Sequence, residues 1–216
     1  MTQLFKFLFL LVFAIGYMSC GNDTNAREAA TETANKEVAE LKAPPHEAEG
    51  HVAFRSGNNL TLTNGEVMKL PPGSDTSVVT IFVVRHAEKD SVKSGISLIG
   101  QARAARLAEL FQSAAIEQIY VDSNPSMQTG LMTSKSNSCD LGTFKPEVLE
   151  NTLKILTHSY KGKKAMIVGT KETAARAVNM LAGKIYTSKI ADDEYDNIYV
   201  AIVKNLGDAE IHHFKF

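Results

Sequence analysis

Tryptophan is absent from this 216-residue chain, and cysteine occurs only at Cys20 and Cys139. Two cysteines build no disulfide framework, and neither sits in a CxxC or Cys/His spacing that would hold zinc. Charge of either sign is not in excess: 23 Lys and Arg stand against 24 Asp and Glu. That balance excludes a nucleic-acid binder held by bulk electrostatics. No apolar run reaches the roughly 20 residues that a bilayer-spanning helix needs. No sequence pattern calls for a metal or a cofactor, and none is expected. What is present is ordinary for a globular fold, with 44% apolar and 22% charged residues.

The longest apolar run, Phe7–Met18, is about a dozen residues and suits the hydrophobic core of an export signal. It closes on Tyr17-Met18-Ser19-Cys20-Gly21, which resembles a bacterial lipoprotein lipobox, with Tyr17 where that pattern usually has Leu. The resemblance implies that residues 1–19 are a signal peptide and that Cys20 is lipidated after cleavage. The protein would then be an exported lipoprotein of the cell envelope, periplasm-facing or on the outer membrane, held to the membrane through Cys20. A plain secretory signal, or a membrane anchor with an incidental cysteine, is the alternative. Residues 20–50 are rich in Ala, Glu, Thr, Asn and Lys and close on Pro44-Pro45. So little apolar surface cannot offset the entropy of ordering, and the segment reads as a tether.

Residues 51–77 carry two short runs around Asn64-Gly65, a two-residue hairpin signal. From residue 78 to 216, strand-like and helix-like segments alternate. Val78–Val84 is apolar or β-branched without a break, as a strand buried on both faces requires. Ser97 can N-cap a helix that runs to Phe111, with Ala104, Leu107, Ala108 and Phe111 on one face. Ile116–Val121 reads as a strand, Met127–Thr133 as a helix, and Ser134–Lys145 as irregular. Glu147–Leu156 reads as a helix with Val148, Leu149, Leu153 and Leu156 inward. Ala165–Gly169 is a strand, and Thr170–Ala182 a helix ended by Gly183. Asp196–Lys204 and Ala209–Phe216 close the chain as strands joined around Asn205-Leu206-Gly207-Asp208. This order predicts a three-layer α/β/α domain on a mainly parallel sheet.

The first core strand ends in Arg85 and His86, where open α/β sheets place their ligands. Arg offers a planar fork for phosphate oxygens, and His can act as nucleophile or proton carrier. The pair alone is a weak motif, and a strand exiting into a solvated loop explains it as well. Elsewhere, His212-His213 occupy successive strand positions and cannot easily share a metal. Asp192-Asp193-Glu194 looks like a solvated acidic loop, and His158 like a surface residue. Glu88 and Asp90 are the carboxylates nearest His86 and candidates for a general acid.

The wider pattern is more specific. An apolar strand leads into RHAEK, then SxxGxxRAxxLAxLF, a second strand with a loop carrying Gln128-Thr129, a third strand ending in Gly169, and YDNIYV from Tyr195. This resembles the histidine phosphatase superfamily, also called phosphoglycerate-mutase-like, in its small RHAEK-bearing branch. The resemblance spans about Val78 to Phe216 and implies phosphoryl transfer. His86 would be the transiently phosphorylated nucleophile and Arg85 its phosphate-gripping neighbour. The family completes the pocket with a second Arg and a second His. The Arg would fall near Pro125 or Ser126, where neither residue is basic, and Thr170 stands where the His belongs. Each missing charged donor removes about 10²–10³ in rate. Lys171 could return part of the lost charge for phosphate binding. The reading is a membrane-anchored protein of this type with a degenerate pocket, weak or lost catalysis, and a phosphorylated small molecule or phosphoprotein as ligand. The alternatives are an active phosphomonoesterase working through phospho-His86, and a non-catalytic interaction module of the envelope.

Overall fold

A computed structural model describes residues 47–216. The expected signal peptide, the lipidation at Cys20 and the tether up to residue 46 lie outside the described residues. Nine strands form one sheet. In chain order they are β1 (Gly50–Ser56), β2 (Asn59–Leu62), β3 (Val67–Lys69), β4 (Val79–Arg85), β5 (Ile116–Val121), β6 (Asp140–Thr143), β7 (Lys164–Gly169), β8 (Asn197–Asn205) and β9 (Asp208–Lys215). Across the sheet they run β3-β2-β1-β9-β8-β4-β7-β5-β6.

The sheet is parallel from β4 through β7 and β5 to β6. On the other side of β4 it turns antiparallel through β8 and β9, and again through β1, β2 and β3, with only β1 and β9 parallel between them. The mainly parallel sheet expected from the sequence is therefore mixed. β8 runs against β4, and the tight turn at Leu206-Gly207, where Gly207 adopts φ +87°, folds β9 straight back on β8. β4, buried along its whole length, lies between β8 and β7. That explains its unbroken apolar run.

Among the described residues four helices cover the two faces: α1 (Leu98–Leu110), α2 (Asn124–Asn137), α3 (Leu149–Ser159) and α4 (Lys171–Ala182). Leu107, Leu110 and Phe111 from α1 pack on Phe82, Val84, Met166, Val168 and Val200. On the opposite face Leu149, Leu153 and Leu156 of α3 and Ala174, Val178 and Leu181 of α4 pack on Ile81, Val83, Ile167 and Tyr199. Alternate residues of β4 thus feed the two cores, giving the α/β/α sandwich the sequence predicts.

The helix ends follow from single residues. Ser97 accepts the Gly100 N–H at the start of α1, and Thr170 accepts the Thr173 N–H at the start of α4. Gly183 ends α4 at φ +67°, in the left-handed region that other residues avoid. Three local expectations change. α2 begins earlier than predicted, with Ser123 as N-cap and Pro125 in its first turn, and runs through residues read as irregular. β6 then adds a short edge strand. Val148 belongs to a 3-10 turn ahead of α3 and is 43% exposed rather than inward. The Asn64-Gly65 hairpin forms between β2 and β3, and through β1 it joins the main sheet.

Candidate functional site

Arg85 and His86 leave β4 at the carboxyl end of the parallel strands, beside the exits of β5 and β7. Arg85 lies opposite Gly169, and the His86 N–H donates to the Gly169 carbonyl at 2.8 Å. Both side chains are buried, at 7% and 2% exposed. Tyr195 links them: the Arg85 guanidinium stacks on its ring at 3.8 Å, and the His86 ring lies 6.3 Å away.

The loop that follows is held by the residues of the sequence pattern. Arg103 grips the Glu88 carboxylate in a bidentate pair, at 2.6 to 3.0 Å. The Ser97 N–H donates to the Glu88 carbonyl (2.8 Å). A side chain at Gly100 would place its Cβ 2.4 Å from that same carbonyl, so glycine is needed there for close approach. Thr129 accepts the Ala87 N–H (3.0 Å) and donates to the Pro125 carbonyl (2.8 Å). Gln128 accepts the Ile96 N–H (3.0 Å).

His86 Nδ1 lies 2.7 Å from the Ala87 carbonyl. A carbonyl only accepts, so Nδ1 carries the proton and Nε2 the lone pair. Burial pushes the imidazole below the usual histidine value. The Ala87 bond opposes this, Lys89 and Arg85 add to the depression, and Asp122 pulls back upward. A neutral imidazole anchored through one nitrogen is what nucleophilic attack requires.

Arg85 is engaged in an unusual way. Its Nη1 donates to three carbonyls of one loop, those of Ala191 (2.8 Å), Asp192 (3.0 Å) and Glu194 (2.9 Å). Its Nε is buried and has no hydrogen-bond partner. No carboxylate lies within ion-pair distance of the guanidinium among the described residues. The acidic loop predicted to be merely solvated therefore also caps Arg85 through its backbone, while the Asp192 side chain stays 77% exposed.

The facing wall contains no basic group at the expected positions. Ser126 is fully buried, its hydroxyl donating to Asp122 Oδ1 at 2.7 Å and lying 2.8 Å from the Ser123 hydroxyl. Thr170 turns its hydroxyl to the first turn of α4, and its N–H donates to Asp122 Oδ2 at 2.9 Å. Asp122 thus ties the exits of β5 and β7 together and sets a carboxylate within electrostatic reach of His86. Sequence reasoning passed over this residue. Its signal was its place, directly after β5 on the same sheet edge as Arg85.

The other candidates are placed as follows. The Lys171 amine pairs with Asp192 and reaches Glu172 at 3.7 Å, so its charge is already matched. The Glu88 carboxyl, a proposed acid, is raised by burial but held low overall by Arg103. Asp90 is held low by the N–H groups of Val92 and Lys93, to which it is bonded. Neither is poised to give up a proton near neutral pH. His158 is exposed. His212 lies between Glu49 and Glu210, while His213 is buried against Asn197 and Tyr199, on opposite faces as expected.

No family model matches the chain, and no curated protein sequence does. Solved structures do. A protein from Escherichia coli K-12 described as a putative alpha-ribazole-5'-P phosphatase aligns with TM-score 0.51 at 8% identity, over 64% of this chain and 96% of that one. Phosphoglycerate mutase from Plasmodium falciparum aligns at 0.44 and 10% identity, over 64% and 90%. A mycobacterial glucosyl-3-phosphoglycerate phosphatase aligns at 0.45 and 7% identity, over 63% and 98%. The fold is the histidine-phosphatase-like, or phosphoglycerate-mutase-like, fold, established by the first of these likenesses. Among the described residues no helix is long and apolar enough to cross a membrane.

Proposed function

We propose that the chain is a membrane-anchored member of the histidine phosphatase superfamily that binds a phosphorylated ligand through Arg85 and His86 and hydrolyses it weakly or not at all. The observation that carries this is the contrast around His86. On one side stands a buried guanidinium with, among the described residues, no carboxylate partner and an unpartnered Nε. A buried cation matched only by neutral carbonyls favours an anion in its neighbourhood. On the other side Asp122, Ser126 and Thr170 supply a carboxylate and two hydroxyls in place of two cations. A phosphoryl transition state spreads negative charge over its oxygens and needs donors around it. Asp122 opposes that charge.

The 191–194 loop holds only Nη1 of Arg85, which leaves the rest of the guanidinium fork for an anion. Titration with inorganic phosphate or vanadate, followed by thermal unfolding, tests this half. Ligand at 100 times its Kd stabilises by about 2.7 kcal/mol, and Arg85→Gln should abolish the rise. No stabilisation of the wild type at millimolar anion would remove phospho-ligand binding. What would remain is the non-catalytic interaction module. For the anchor, a Cys20→Ser variant that still partitions with membranes would argue against lipidation.

The second reading, a working phosphomonoesterase, draws on one observation: the neutral His86 imidazole, with Nδ1 anchored and Nε2 carrying the lone pair. It predicts a phospho-His86 intermediate, which the first reading does not.

A further inference from the structure

Exposed apolar side chains gather at one corner of the fold. Val92 is 90% exposed, Leu98 82% and Ile99 68%. Met127 and Leu131, one turn apart on α2, are 39% and 42% exposed. The segments that carry them adjoin. The Ile96 N–H donates to Gln128, and the Asn124 amide donates to the Ser94 carbonyl at 2.7 Å, so the loop before α1 is fastened to the first turns of α2. Leu98 and Ile99 open α1 directly after that loop.

The loop holds Val92 in place. Asp90 accepts the N–H groups of Val92 (2.8 Å) and Lys93 (3.0 Å), and its own N–H donates to the Gly95 carbonyl (3.0 Å). Val92 is framed by Lys89 and Lys93, both exposed and neither ion-paired among the described residues. The neighbouring carboxylates are engaged, Glu88 by Arg103 and Asp90 by the loop's own backbone.

An apolar tip framed by lysines matches an anionic bilayer. The apolar atoms enter the headgroup region, and the ammonium groups reach back to the lipid phosphates. A second copy of the chain seated symmetrically on this corner would bring the same lysine pair against itself, a like-charge contact. Reach is no obstacle. The 26 residues between Cys20 and Glu47 span at most about 90 Å, against about 40 Å for a domain of this size. We propose that the Val92–Ile99 corner docks on an anionic membrane surface, which turns the His86 edge of the sheet toward the bilayer. This does not rest on phosphate binding at Arg85.

Because the chain has no Trp, one introduced indole reports on its own position. The full chain carrying Val92→Trp is reconstituted into vesicles of mixed phosphatidylcholine and phosphatidylglycerol. Leu98→Trp is the second reporter, and Ile155→Trp, on the opposite face of the sheet, is the control. The expected result is blue-shifted emission and loss of most of it to brominated lipid at positions 92 and 98, with neither at 155. Lys89→Glu with Lys93→Glu, or purely zwitterionic vesicles, should reverse both effects. Emission at 92 and 98 that matches the control would overturn the proposal. So would a concentration-dependent blue shift in lipid-free detergent, which would assign the corner to a second copy. Quenching indifferent to both lysines and lipid charge would overturn the anionic-surface assignment.

Discussion

The exit of β4 and the exits of β5 and β7 share one edge of the sheet, yet they have fared differently. At β4, Arg85 and His86 keep the supports that fix them: Arg103 on Glu88, Thr129 on Ala87, Gln128 on Ile96, and a glycine at 100 where no side chain fits. At β5 and β7 the backbone frame is equally regular, with Ser123 and Thr170 capping their helices. No basic side chain stands at Ser126 or Thr170, however, and Asp122 binds the two exits to each other. The difference teaches that this fold separates scaffold from charge. Strand burial and helix caps position the edge, and the side chains set on it decide its charge, Arg85 at β4 and Asp122 at β5.

The contrast can be sharpened by substitution. The largest effect should come from Gly100→Ala, whose Cβ would meet the Glu88 carbonyl at 2.4 Å. Backbone cannot yield as a side chain tip can, so a loss of about 3 kcal/mol is expected in denaturant unfolding. Thr129→Val should follow at about 2 kcal/mol, because it strands the buried Ala87 N–H. Arg103→Gln should cost about 1.5–3 kcal/mol at pH 7, and its cost should depend on pH. The Glu88 carboxyl titrates lower in the fold than its ordinary value of 4.5. The pair's contribution is therefore fully present above that value and is lost as pH falls through the folded one. Wild type and variant should converge in stability at the acid end, and parallel curves would contradict the pairing. On the other wall Thr170→Ala should cost only about 1 kcal/mol, the loss of one N-cap. A larger loss there would mean that the altered wall is as tightly specified as the retained one.

Much of this was legible in the sequence. The unbroken run of Val78–Val84, the caps at Ser97 and Thr170 and the glycine at 183 are local signals, and each one is used by the fold as read. β1 and β6 escaped for physical reasons. β1 buries only Val52 and leaves Phe54 more than half exposed, so its sequence shows no alternation. β6, Asp140 to Thr143, is an edge strand of low β-propensity, supported by its pairing with β5. Strand direction is not written in periodicity either: the turns at Asn64-Gly65 and Leu206-Gly207 mark two hairpins, but nothing local marks the antiparallel pairing of β8 on β4 or the joining of the N-terminal strands to the sheet. At the site, Arg85 and His86 announced themselves, whereas the carbonyls of Ala191, Asp192 and Glu194 could not. Backbone oxygens are common to every residue and leave no trace in a sequence.

The central proposal is that Arg85 and His86, without a basic group at Ser126 or Thr170, do not sustain efficient turnover. The direct measurement is hydrolysis of p-nitrophenyl phosphate by the full chain and by His86→Ala, with acid-labile phosphohistidine assayed in parallel. The account predicts a low rate for the full chain, little above that of His86→Ala, and no accumulated phosphohistidine in either. Turnover that disappears with His86→Ala, together with label trapped on His86, would contradict it.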